Sequence, residues 1–186
     1  MQRLLLVRHA APIISSSVAS EEWVLSPEGE EAAEQLALAL ASYGSLPVYA
    51  SPEAKAVHTA RPIARQWGVE VGIERDLREV RGRPWVDSRA EYEETVGRYL
   101  RGEAVDGWEE RTGAQRRIAT AVQKLMGPDQ DVLVVSHGLV LVLWLSWLLK
   151  VEPDTLFPVW RTIRFPDLCI VDWKAGDVVR PFGEPL

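Results

Sequence analysis

The chain has 186 residues, of which 47% are hydrophobic and 26% charged, an ordinary composition for a globular protein. Its net charge of −6 argues against a protein that binds nucleic acid through its overall charge. A single cysteine, Cys169, excludes an internal disulfide framework and favours a reducing, cytoplasmic location. No linker, repeat or low-complexity segment interrupts the sequence, so we expect one domain over residues 1–186.

The first half of the chain alternates short apolar runs with helical patterns. Short continuous apolar runs are typical of strands buried in parallel sheets. Ser-Pro-Glu occurs at 26–28 and again at 51–53, and a hydroxyl cap followed by proline and an acid predicts the start of a helix. The predicted elements are strands at 3–8, 47–50 and 69–74 and helices at 26–44 and 51–68.

The second half continues the alternation after a loop rich in arginine and proline at 75–87. The predicted elements are helices at 88–100, 112–126 and 139–149 and strands at 131–136 and 168–173, the last pairing with 177–181. This order predicts an α/β three-layer sandwich, with a mostly parallel central sheet and helices on both faces.

The apolar stretch from Val132 to Leu149 approaches the length of a membrane span. Ser136, His137 and Gly138 interrupt it, so it is interpreted as strand, turn and buried helix, and no membrane association is expected. Within that helix, Trp144 and Trp147 are interpreted as core residues, with a homodimer contact as the alternative.

Two of the three histidines follow buried strands: His9 ends "LLLVRH" and His137 ends "VLVVSH". If the strands are neighbours, about 5 Å apart, both imidazoles rise from one edge of the sheet, where ligands of such sheets bind. Arg8 can hold two oxyanion oxygens, and Gly138 opens a helix whose N-terminal N–H groups attract anions. Together these residues indicate a site that binds an oxyanion between the two imidazoles.

These residues resemble the histidine phosphatase (phosphoglycerate-mutase-like) superfamily. Arg8-His9-Ala10 is similar to its Arg-His-Gly signature. The other matching stretches are "LSPEGEEAAEQLA" at 25–37, "SPEAKAVHTA" at 51–60, "LREVRGRPW" at 77–85 and "VLVVSHG" at 132–138. The resemblance implies the phosphoglycerate-mutase-like fold and covalent catalysis: His9 as nucleophile, Arg8 and His137 as charge-neutralising groups, and Glu79 as the acid and base.

The third basic residue of the family pattern is an arginine, and Lys55 occupies its position here. Lysine supplies charge without a planar fork, and Arg61 lies about 240° further around the helix, so Lys55 is predicted in the phosphate pocket. Ser15, in the loop after His9, is either a hydrogen-bond donor to the phosphoryl oxygens or an ordinary loop residue. The arginines at 78, 81, 83 and 89 are either solvated or a second anionic subsite.

The predicted activity is hydrolysis of a small phosphomonoester, or of a phosphohistidine on a protein, without cofactor or metal. One alternative is phosphoglycerate mutase activity. The tryptophan after Gly82 is not followed by the Glu-Gly of the mutase pattern, which disfavours this alternative. The other alternative is a catalytically silent phosphoryl-binding module, to which the departure at Lys55 would point.

Overall fold

A computed structural model describes residues 1–185 of the chain, and its centre is a six-stranded sheet. The strands are β1 (Arg3–Arg8), β2 (Val48–Ala50), β3 (Val71–Ile73), β4 (Val132–Ser136), β5 (Asp167–Asp172) and β6 (Asp177–Arg180). The helices are α1 (Pro27–Ala39), α2 (Ala54–Trp67), α3 (Arg89–Leu100), α4 (Arg111–Leu125), α5 (Gly138–Leu149) and α6 (Leu156–Thr162).

The strands lie in the order β3-β2-β4-β1-β5-β6. The first four of these pair in parallel, whereas β5 runs antiparallel to both β1 and β6. Alternate residues of β1 face opposite cores: Leu4 and Leu6 pack with α3 to α6, and Leu5 and Val7 pack with α1 and α2. The predicted mostly parallel α/β sandwich is therefore confirmed.

The main differences from the sequence expectation are in four elements. Strand β3 spans only Val71–Ile73, shorter than the predicted 69–74. Helix α1 ends at Ala39 and a short 3₁₀ turn continues toward Gly44. Helix α2 begins at Ala54 instead of directly after Ser51, because the Ser51 hydroxyl and the Glu53 carboxylate bond to tertiary partners. Helix α6 was not predicted, since seven residues are too few to show a helical period.

The apolar stretch at 132–149 forms β4, a turn and the buried helix α5, as predicted. Within residues 1–185, no helix has the length and apolar character needed to cross a membrane. Trp144 is fully buried, which confirms its core position, but the prediction for Trp147 is wrong: its side chain is 53% exposed because the last turn of α5 extends beyond the core. Cys169 is buried in β5, and burial raises the pKa of its thiol to about 12.

Candidate active site

His9 and His137 meet at one edge of the sheet because β1 and β4 are parallel neighbours. Arg8 pairs in register with Ser136, and the His9 N–H donates to the Ser136 carbonyl at 3.0 Å. The two imidazole centroids are 5.1 Å apart. The neighbouring-strand hypothesis is thus confirmed, and it alone explains why two histidines so distant in sequence share one site.

The histidines lie at the base of an open cavity of about 710 Å³. Of the predicted site residues, the side chains that line it are Arg8, His9, Lys55, Glu79 and His137. The cavity is far larger than a phosphate group requires. It has room for the phosphoryl group and for a sizeable alcohol attached to it.

The hydrogen bond made by Nδ1 of His9 leaves its Nε2 available as a nucleophile. Nδ1 lies 2.8 Å from the Ala10 carbonyl oxygen, and a carbonyl oxygen only accepts, so Nδ1 carries the proton. Burial, and then the neighbouring His137, hold the pKa of His9 well below its usual value of 6.5. The imidazole is therefore neutral at physiological pH, with a lone pair on Nε2.

Arg8 is a buried cation fixed by a hydrogen bond and an aromatic ring, and it also lies close to the backbone of Gly138. Its Nη1 donates to the Ile163 carbonyl at 2.5 Å, and its guanidinium carbon lies 3.4 Å from the centroid of the Phe165 ring. A β-carbon at Gly138 would lie 3.0 Å from the guanidinium, so a larger residue there would force Arg8 to shift by a few tenths of an ångström. Burial lowers the pKa of Arg8 to about 10, which leaves it charged at neutral pH.

His137 is held from its Nε2 side, and its Nδ1 has no hydrogen-bond partner among the described residues. Nε2 lies 2.8 Å from the Ser51 hydroxyl oxygen and 3.4 Å from Oε1 of Glu53. Arg8 also keeps one buried nitrogen, Nε, without a partner in residues 1–185. Buried polar atoms normally find partners, so these two atoms, because they also lie beside His9, are candidates to bind an external oxyanion.

Lys55 points into the predicted pocket but is already paired there. Its Nζ donates to the Ser20 carbonyl and to Oε2 of Glu53, both at 2.6 Å. Lys55 and Glu53 are both almost fully buried. An ammonium group has three donors, so one N–H remains for a phosphoryl oxygen, whereas Glu53 offsets much of the charge that the sequence pattern assigns to this position.

The carboxylate of Glu79, a loop residue, caps the N-terminus of α5. Its Oε1 accepts from the N–H groups of Val80 and Val140, and its Oε2 accepts from that of Leu139. The helix N-terminus at Gly138 was expected to face the phosphate, but two of its donors hold this carboxylate instead. Oε2 accepts one bond and keeps a lone pair free to exchange a proton.

Arg117 fixes the loop that carries Glu79. Its guanidinium donates to the backbone carbonyls of Asp76, Arg78 and Glu79 and forms two bonds to the Glu109 carboxylate. Burial opposes the charge of Glu109, but hydrogen bonds from Arg117 and Arg81 lower its pKa to about 2. This ion pair stiffens the loop, and its role is not apparent from local sequence.

Ser15 is not among the residues that line the cavity. Its hydroxyl bonds to that of Ser17 at 2.7 Å, and its carbonyl accepts from the Trp23 indole at 3.0 Å. The predicted contact between Ser15 and the phosphoryl group is therefore not supported. Instead, Ser15 holds Trp23, which lines the cavity.

Arg83 lines the cavity, as Arg89 does, whereas Arg81 turns away to pair with Glu109. The arginine-rich loop therefore contributes only part of its charge to the site.

The sequence did not reveal three residues that support the site: Glu53, Ser51 and Phe165. Ser-Pro-Glu at 51–53 was interpreted only as a helix start, and no local pattern marks a ring that faces Arg8.

Protein stability should decrease as the pH falls below about 6.5, because both imidazoles are buried in the neutral form. Burial first, and then nearby cations including Lys55, lower the pKa of His137 as well. The unfolded chain then binds protons that the folded chain does not, which costs up to about 1.4 kcal/mol per pH unit for each histidine. Chemical denaturation at pH 7, 6 and 5 measures the slope.

The His9→Asn and His137→Asn variants should each flatten this slope, and the double variant should flatten it most. Equal slopes in all four proteins between pH 6 and 5 would show that the imidazoles are not the groups that titrate.

Within residues 1–185, no group of three or more histidine, cysteine, aspartate or glutamate side chains is arranged to hold a metal ion. The expectation of metal-independent chemistry stays a prediction.

The fold is shared with several solved structures, two of them named as phosphatases. Mycobacterial glucosyl-3-phosphoglycerate phosphatase is 19% identical with a TM-score of 0.78, covering 98% of this chain and 99% of its own. YhfR of Bacillus stearothermophilus is 20% identical with a TM-score of 0.80, covering 100% and 98%. A phosphoserine phosphatase variant of Entamoeba histolytica, in complex with phosphoserine, is 20% identical with a TM-score of 0.71, covering 96% and 94%.

A comparison with curated proteins finds no match. The model of the histidine phosphatase superfamily, branch 1, matches residues 4–178. That range includes the two strand-end histidines, the Lys55 helix and the Glu79 loop, and it confirms the resemblance first indicated by the ordered motifs. The chain therefore belongs to the histidine phosphatase superfamily.

Proposed function

We propose that this protein is a phosphatase that hydrolyses a small phosphomonoester through a phosphohistidine formed on His9. The observation that carries the proposal is the arrangement around that residue. A neutral imidazole with Nε2 free lies beside two buried nitrogens, on Arg8 and His137, that lack partners in the described chain. A phosphoryl group placed there would satisfy both.

In the first step, Nε2 of His9 attacks phosphorus and the bond from phosphorus to the alcohol oxygen breaks. Arg8 and the third N–H of Lys55 neutralise charge on the non-bridging oxygens, and neutral His137, whose Nε2 accepts from the Ser51 hydroxyl, donates to them from Nδ1. Glu79, protonated on Oε2, gives its proton to the departing oxygen. The products are the alcohol and a phosphohistidine.

In the second step, water attacks the phosphohistidine and the phosphorus–nitrogen bond breaks. Glu79, now ionised, takes a proton from the water. Inorganic phosphate leaves, and His9 returns to the neutral form. The same carboxyl therefore acts as acid and then as base, while Arg117 holds the loop that positions it.

Family membership and the phosphatase neighbours support hydrolysis over a non-enzymatic role. The neighbours' names point to different substrates, a glucosyl-phosphoglycerate and phosphoserine, so they do not identify the substrate here. Phosphoglycerate mutase activity and silent phosphate binding remain alternatives that one experiment separates.

The test measures phosphate release from 4-nitrophenyl phosphate and from 3-phosphoglycerate by wild type and by His9→Ala. We expect wild type to release phosphate and His9→Ala to lose activity by roughly 10⁴-fold or more, as when a covalent nucleophile is removed. Wild type quenched in alkaline denaturant should carry the mass of one added phosphoryl group, absent from the variant.

Hydrolysis unaffected in His9→Ala would overturn the covalent mechanism. Isomerisation of 3-phosphoglycerate without phosphate release would identify a mutase. Phosphate binding measured by calorimetry, with no turnover of any phosphoester, would identify a silent binder.

A further inference from the structure

Beyond the phosphate end, the cavity is bordered by apolar side chains from three separate segments. We call this set the apolar wall, and its members are Ile14, Val18, Trp23, Trp85, Trp160 and Phe165. Several of them are unusually exposed for their type, with Ile14 at 65%, Trp85 at 47% and Phe165 at 43%. Apolar surface gathered around a polar centre is typical of a ligand site.

The apolar wall begins directly beside the catalytic groups. The Phe165 ring lies 5.3 Å from the His9 ring, between centroids, and Nζ of Lys55 is 5.7 Å from the Trp23 ring. Trp85 follows, with its ring centroid 6.3 Å from that of Trp23. A group esterified to the phosphate therefore meets aromatic carbon within a few atoms of the scissile bond.

The polar N–H groups of the two cavity tryptophans Trp23 and Trp85 are engaged within the protein. The Trp23 indole donates to the Ser15 carbonyl and the Trp85 indole to the Asp87 carboxylate at 2.7 Å, so both rings present carbon to the cavity.

The two arginines of the region are engaged as well. Arg83 donates to the Val80 carbonyl and the Tyr92 hydroxyl, and Arg89 pairs with Glu93. These bonds occupy some of the five N–H donors of each guanidinium, so a polar group on the substrate would meet arginines that are already partly bonded within the protein.

We propose that the apolar wall is the leaving-group subsite, and that the preferred substrates are phosphomonoesters of apolar alcohols, aliphatic or aromatic, in place of sugar phosphates or phosphoglycerates. This inference rests on the proposed phosphatase function. It assigns Trp23 and Trp85 as specificity-determining residues that act on the alcohol and not on phosphorus.

The test compares ethyl, butyl and hexyl phosphate with glycerol 3-phosphate. Primary alkyl alcohols leave with nearly equal intrinsic ease, so a change in kcat/KM along the series reports on binding of the chain. We expect kcat/KM to rise at least about twofold per methylene, against a limit of about fourfold for a fully buried one. Glycerol 3-phosphate should react more slowly than butyl phosphate.

In Trp23→Ala and Trp85→Ala the ratio of hexyl to ethyl kcat/KM should fall at least about fivefold, as buried methylene contacts are lost. Trp147→Ala is the matched control, since Trp147 is exposed on α5 and does not line the cavity. Its ratio should equal that of wild type. A flat series, a preference for glycerol 3-phosphate, or unchanged ratios in both tryptophan variants would overturn the proposal.

Binding of ethyl- and hexylphosphonate, which are not hydrolysed, separates this inference from the proposed function. Tighter binding of the longer phosphonate that depends on Trp23, in a protein without phosphatase activity, would support the subsite and overturn the phosphatase. Hydrolysis that depends on His9, with no effect of chain length on rate or binding, would support the phosphatase and overturn the subsite.

Discussion

Replacing Glu79 with glutamine is expected to slow hydrolysis of alkyl phosphates by about 10²–10⁴-fold, the contribution usual for a positioned general acid. An alkoxide is a poor leaving group and needs a proton as the bond to phosphorus breaks. Nitrophenolate leaves without one, so hydrolysis of 4-nitrophenyl phosphate should fall about tenfold or less in the first step. The measurement is single-turnover phosphoenzyme formation with both substrates.

The contrast between the substrates is the control for misfolding. Glutamine retains one oxygen that accepts an N–H from α5, but its amide nitrogen faces a second donor, so some loss of stability is expected. A folding defect would slow both substrates equally. An equal loss on alkyl and nitrophenyl phosphates, in a variant whose circular dichroism spectrum and unfolding temperature match those of wild type, would therefore show that Glu79 is not the acid.

Replacing Lys55 with methionine is expected to lower the free energy of unfolding by about 3–5 kcal/mol, because it leaves the Glu53 carboxylate buried without its ion-pair partner. Nζ of Lys55 lies 2.6 Å from that carboxylate and both side chains are only 4% exposed. The variant should also raise KM for phosphoesters through loss of a phosphate contact. Urea denaturation at pH 7.5 measures the first effect and steady-state kinetics the second.

Two further variants make this result specific. Glu53→Gln combined with Lys55→Met removes the unpaired charge while keeping an oxygen for the Glu79 N–H, so it should recover much of the lost stability but not the KM. Arg65→Met breaks an exposed ion pair with Glu34 and should change stability by no more than about 1 kcal/mol. A loss of less than about 1 kcal/mol in Lys55→Met would contradict a charged, buried pair.

The elements that carry the site were predictable because their signals are local. A run of apolar residues that stops at a polar residue identifies β1, which precedes His9, and β4, which precedes His137. This signal does not depend on the rest of the chain. Ser26, whose hydroxyl accepts from the Gly29 N–H, caps α1 as its sequence indicates. Short elements such as α6, and the exposure of Trp147, depend on where the core ends, which no local period encodes.

The sequence by itself determined the fold class and that two imidazoles and Arg8 meet at the sheet edge, and its resemblance to the family added Lys55 and Glu79. Only the tertiary structure decided how they are partnered. Glu53 offsets the charge of Lys55, α5 holds Glu79, and the Ser15 carbonyl accepts from the Trp23 indole. Partnering depends on burial and on contacts between segments far apart in the chain, and the periodicity of hydrophobic residues carries no record of either.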